Sequence, residues 1–113
     1  MKESEIKFDI QLDDQNVPEK IQWNATDKPT DGPTDSNAIL ISLWDQDAKN
    51  TLRIDLWTKD MTVDEMKRFY VDSIGGMAES IKNATGDDFM SDEMHALCRK
   101  LVKHIQEENK NRK

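Results

Sequence analysis

The stretch "NTLRIDLWTKDMTVDEMKRFYVDSIGGMA", residues 50–78, passes from strand-like alternation to helix-like periodicity within a few residues. Leu52, Ile54 and Leu56 alternate with Arg53 and Asp55, a period of two that marks a β-strand with one apolar face. Thr62-Val63-Asp64-Glu65 then matches a capping box, in which a threonine N-cap and a glutamate three residues later satisfy the first free amides of a helix. From there Met66, Phe69, Tyr70, Ser73, Ile74, Met77, Ala78 and Ile81 fall on one helical face, and Gly86 is placed to end the helix in a left-handed conformation. The stretch reads as the seam between a last strand and a first helix, with Leu52, Ile54 and Leu56 expected beneath Met66, Phe69, Tyr70 and Ile74.

Upstream, Ala38–Trp44 pairs naturally with Thr51–Thr58 across the turn Asp45–Asn50. With Leu43 opposite Leu52, Ile41 faces Ile54 and Ile39 faces Leu56, so one face is aliphatic. The same register places Leu40, Trp44 and Trp57 on the other face beside Ser42, Arg53 and Asp55. Nearer the N-terminus, Ile6, Phe8, Ile10 and Leu12 alternate with polar residues, and after a turn at Asp13–Pro18 the alternation resumes at Ile21 and Trp23, giving another hairpin. Residues 24–37 hold two of the three prolines and many turn formers, so they are expected to be a surface loop, read as a mobile linker ahead of a binding loop.

A second helix is expected from about Ser91, burying Met94, Leu97, Cys98, Leu101, Val102 and Ile105, with residues 108–113 frayed. The predicted fold is α+β: a two-layer domain over residues 1–113, with a four-stranded antiparallel sheet of two hairpins covered on one face by two C-terminal helices, in the order ββββαα.

The chain has 113 residues and a net charge of -7, a balance that disfavours nucleic-acid binding because phosphate neutralisation needs a basic surface. A single cysteine, Cys98, excludes an intramolecular disulfide. The N-terminal residues MKESEIKFDIQ contain no signal-like apolar run, and nowhere do about 20 apolar residues occur together, so a cytoplasmic protein is expected.

Residues that could carry chemistry read more simply as structure. Asp45–Asn50 has the alternating oxygens of a calcium loop but lacks its glycine and closing glutamate, which makes it a hairpin turn. His95 and His104 lie nine residues apart on one helix and point in different directions, unlike a metal-binding i, i+4 pair. Cys98 fits an apolar helix stripe, and Arg53 with Asp55 suits a salt bridge on one strand face. Gly75-Gly76 follows no strand and opens no phosphate loop; close helix packing is the expected reason for it, with a kink as the alternative. No enzymatic activity and no cofactor or metal is therefore expected. The candidate site is an interaction surface of Leu40, Trp44, Arg53, Asp55 and Trp57, because a two-layer domain otherwise leaves two indoles in water and tryptophan is a strong interface anchor.

The segments "WNATD" (23–27), "NTLRIDLWTKDM" (50–61), "DEMKRFYVDSIGGMA" (64–78), "NATGD" (83–87) and "ALCRKLVKH" (96–104) resemble the gliding motility-associated GldC family of gliding Bacteroidetes over nearly the full length. The resemblance implies a small cytoplasmic protein supporting surface gliding beside the envelope-spanning motor and secretion machinery, with recruitment to the inner membrane through a partner as a further expectation. It brings no established catalytic residues. Two functions are carried forward: an accessory or adaptor protein, expected to be a homo-oligomer, and a holder of unfolded export substrates, since the ββββαα order and acidic charge are similar to those of the SecB export chaperone. The latter is an analogy of fold alone.

Overall fold

The computed structural model describes residues 1–111 and divides into two compact units, a strand unit over Met1–Met61 and a helical unit that begins at Thr62. The chain is α+β, with five strands followed by two helices. The strands are β1 (Ile6–Leu12), β2 (Pro18–Ala25), β3 (Thr34–Ser36), β4 (Ala38–Asp45) and β5 (Asn50–Trp57); the helices are α1 (Val63–Thr85) and α2 (Asp88–Asn111).

The expected single four-stranded sheet is not formed. The strands make two antiparallel sheets, one of three strands in the order β1-β2-β3 and one of two, β4-β5. The extra strand comes from the segment 24–37: β2 runs on to Ala25, and Thr34, Asp35 and Ser36 return to pair with Trp23, Gln22 and Ile21. Gln22 Nε2 donates to Asp35 Oδ1 at 2.9 Å across this pairing. β3 takes the edge of β2 that β1 leaves open, and β4 pairs with β5 alone, so the two hairpins lie in separate ladders. In the remaining loop, Lys28 Nζ lies 5.0 Å from the Trp23 ring centroid and donates to the Gly32 carbonyl.

Both expected hairpins form, and β4–β5 has the expected register. Phe8 faces Trp23 and Ile10 faces Ile21 in β1–β2, while Ile39 faces Leu56, Ile41 faces Ile54 and Leu43 faces Leu52 in β4–β5. The first turn is organised by Asp13, whose Oδ1 accepts from the amides of Gln15 and Val17 at 2.8 and 2.9 Å. In the second turn Asp45 Oδ2 accepts from the Ala48 amide at 2.6 Å and the Asp45 carbonyl accepts from Lys49 at 3.0 Å. This carboxylate is occupied in closing a tight turn, as the hairpin reading of Asp45–Asn50 requires.

Asn37 alone separates β3 from β4, and there the chain leaves one sheet for the other. The Thr58 amide donates to the Asn37 carbonyl at 2.8 Å, and the Lys59 amide donates to the Pro18 carbonyl at 3.2 Å, which fastens the end of β5 to the first sheet. Ile21, Ile39 and Thr58 are the buried residues of the strand unit.

The helical unit follows its capping signals closely. Thr62 accepts the Glu65 amide at 3.1 Å while the Glu65 carboxylate accepts the Thr62 amide at 3.3 Å, completing the capping box, and Gly86 closes α1 with φ 74°. Such a cap contributes about 1 kcal/mol. α2 begins at Asp88 rather than near Ser91, because Asp87 supplies the cap: its Oδ1 accepts from the Met90 amide at 3.0 Å. Fraying from residue 108 is likewise not seen through Asn111. Lys67 Nζ pairs with Glu108 Oε1 at 2.7 Å and Asn109 Nδ2 donates to Asp64 Oδ1 at 3.1 Å, which ties the last turns of α2 to the first of α1. Arg112 and Lys113, the end of the expected tail, lie outside the described residues.

Gly75 and Gly76 do not owe their place to crowding. A Cβ at Gly75 would meet only Cys98 Sγ, at 4.0 Å, and one at Gly76 would meet nothing within 4 Å. Gly76→Ala is therefore expected to raise stability by about 1 kcal/mol through helix propensity and a less flexible unfolded chain, read as a higher midpoint in urea unfolding.

Candidate interaction surface

Strand alternation in β4–β5 places Leu40, Trp44, Arg53, Asp55 and Trp57 on one face of the two-stranded ribbon, together with Ala38, Ser42 and Thr51. Arg53 Nη2 and Asp55 Oδ2 form an ion pair at 3.2 Å along the strand. The five residues do not make one continuous patch. Trp44 is opposite Thr51 beside the turn, and Trp57 is opposite Ala38 at the base, so the indoles lie about 20 Å apart along the ribbon. Leu40 is a diagonal neighbour of Trp57, and the Arg53–Asp55 pair stands between that apolar group and Trp44.

Burial on the reverse face departs from expectation. Ile39 is buried at the base, but Leu52 and Ile54, expected beneath helix residues, are exposed, as is Leu43. Leu43 and Leu52, a directly opposed pair, are each 53% exposed, and Trp44 on the other face is 66% exposed. A two-stranded ribbon has no neighbouring strand to shield its outer half, so both faces near the turn present large apolar groups. Sequence reasoning took Leu43, Leu52 and Ile54 for core because alternation shows which residues share a face but not how far along a strand the cover extends. The available signal was that both Leu43 and Trp44, adjacent and therefore on opposite faces, are large and apolar.

At the base of the strand unit, Lys59 Nζ reaches Glu19 Oε1 at 3.0 Å and Asp13 Oδ2 at 3.2 Å. Hydrogen bonding from the Val17 amide, joined by Gln15 and Lys59, holds the Asp13 carboxyl below the usual carboxylate range. Glu19 and Asp13 in turn hold the Lys59 ammonium above its ordinary value. These bonds fully account for the cluster as a fastening between β5 and the first turn.

In the helical unit His95 pairs with Glu79 at 3.0 Å and His104 with Glu108 at 3.5 Å, so the two histidines serve separate contacts. Cys98 Sγ donates to the Val71 carbonyl at 3.6 Å. A groove of about 450 Å³ is lined by Asp64, Arg68, Val71 and Asp72 of α1 and by Val102 and Ile105 of α2, with Asp64 already engaged by Asn109. Among the described residues no group of three or more His, Cys, Asp or Glu side chains is placed to hold a metal ion, and no helix is long and apolar enough to cross a membrane.

A three-stranded sheet, a two-stranded ribbon with exposed indoles, and a capped helical hairpin define an acidic α+β protein. The chain belongs to the family of gliding motility-associated GldC-like proteins, whose model matches residues 18–107, from the start of β2 to the last turns of α2. No curated protein and no solved structure matches it significantly.

Proposed function

We propose that this protein is a non-enzymatic accessory component of gliding motility that acts through protein–protein contacts made by the β4–β5 ribbon. The observation that carries this reading is the exposure of Trp44, Leu43 and Leu52 around the end of the ribbon, with Trp57 exposed at its base. Isolated exposed apolar side chains are ordinary, but large ones on both faces of the same ribbon end make it suited to being enclosed by a partner. Tryptophan is especially suited, since interface energy concentrates in a few aromatic and arginine anchors. In this reading the protein works in the cytoplasm, binds a protein of the gliding or secretion machinery, reaches the inner membrane only through that partner, and needs no cofactor.

The test is replacement of the native protein by Trp44→Ser/Trp57→Ser in gliding cells. Both side chains are exposed, so the variant is expected to fold and accumulate normally, with circular dichroism unchanged, while colony spreading is lost. Normal spreading by cells containing the folded variant would sink the proposal. A holder of unfolded chains would instead suppress aggregation of unrelated denatured proteins, a readout the adaptor is expected to fail.

A further inference from the structure

We propose that β1 is a self-association edge: two copies pair their β1 strands antiparallel about a two-fold axis at Phe8, joining their three-stranded sheets into one of six strands. β1 precedes the family-matched span, and this contact is separate from the β4–β5 ribbon. The strand is the outermost of its sheet, seven residues long, exposed throughout and free of proline, which is the form of edge that recruits another strand.

The phase of its hydrogen bonding is fixed by Glu5, whose carbonyl accepts from the Thr26 amide at 3.0 Å and whose amide donates to Thr26 Oγ1 at 2.9 Å. Narrow and wide pairs alternate in an antiparallel ladder, so Lys7 and Asp9 also turn their backbone groups toward β2. Ile6, Phe8 and Ile10 consequently turn their N–H and C=O groups to the open edge. A second strand can bond there only if its own outward residues stand opposite these, which excludes every register that pairs an outward residue with an inward one.

Charge then selects among the registers that remain. With Phe8 opposite Phe8, Ile6 lies opposite Ile10, and Lys7 lies opposite Asp9 twice by symmetry. A shift by one allowed step sets Lys7 against Lys7 in one direction and Asp9 against Asp9 in the other, and like charges directly opposed oppose pairing. Lys7 and Asp9 are both well exposed and only loosely paired within the strand, at 3.9 Å, so both can reach across. The same register continues one apolar face across the seam, because Ile6, Phe8 and Ile10 share a side of the sheet with Ile21 and Trp23. A self-complementary edge of this kind fits a second copy of this chain.

The experiment is sedimentation equilibrium of the full chain at tens of micromolar, for the wild type, Lys7→Glu, Asp9→Lys and the double swap. A wild-type dimer is expected, with each single reversal raising the dissociation constant roughly tenfold by creating two like-charge pairs, and the double swap restoring it. Phe8→Pro removes an outward amide that β2 does not use and is expected to give a folded monomer. A monomeric wild type, single reversals without effect, or a double swap that fails to restore the dimer would each overturn the proposal. Trp44→Ser/Trp57→Ser is expected to leave the dimer intact. A monomer in that variant would place self-association on the ribbon instead, whereas loss of gliding with the dimer retained separates the two readings.

Discussion

Ile21→Ala is expected to destabilise the protein by about 2–5 kcal/mol, a large share of the stability of a chain this size. Ile21 is 1% exposed and holds the middle position of the three-stranded sheet, opposite Ile10 on β1 and Ser36 on β3. Shortening it removes buried apolar surface and leaves a cavity that strands pinned on both sides cannot close. The effect is measurable as a fall in the urea midpoint with an unchanged slope. Ile10→Ala is the control: Ile10 sits opposite Ile21 but is exposed, so its truncation is expected to cost much less. Equal losses at the two positions would mean that burial is not what makes Ile21 important.

Ala78→Leu carries the second large effect, in the helical unit. Ala78 has no exposed surface at all, and a leucine there brings three further carbons into a site already filled. Overpacking of this kind is expected to cost about 1–3 kcal/mol, through displaced side chains or a shifted helix. Met77→Leu, one residue earlier and exposed, is expected to be close to neutral. Paired thermal melts of the two variants check the contrast, and a destabilisation by Met77→Leu as large as that by Ala78→Leu would show that the helix, rather than the site, is intolerant.

Local chemistry was the most legible part of the sequence. The capping box at Thr62 and Glu65, the left-handed stop at Gly86, the first hairpin and the register of the second depend on residues within a few positions or on strict alternation, and all are present in the structure. What alternation could not supply was the partner of each edge. Thr34-Asp35-Ser36 has no apolar residue, so nothing in its pattern marks a strand; it becomes one through backbone bonding to β2 and the Gln22–Asp35 contact. That short strand fills the second edge of β2, and β4 and β5 pair only with each other. The candidate surface was legible as a face and not as a patch, since Leu40, Trp44, Arg53, Asp55 and Trp57 share a side of the ribbon while its length separates the indoles. The exposed Leu43, Leu52 and Ile54 were missed because the same rule that groups residues on a face tempts one to bury the whole of it.

The passage of the chain through Asn37 has a mechanical consequence. β4 starts directly after it, and Thr58, which follows the end of β5, bonds to it, so both strands of the ribbon are held at one end and joined at the other only by a short turn. A pull applied at the turn runs along both strands in parallel and reaches the rest of the protein at two adjacent anchor points. The backbone link from Asn37 into β3 and the hydrogen bond from Lys59 to Pro18 would then share the load, while the bond from Thr58 to Asn37 ties the two strands of the ribbon only to each other.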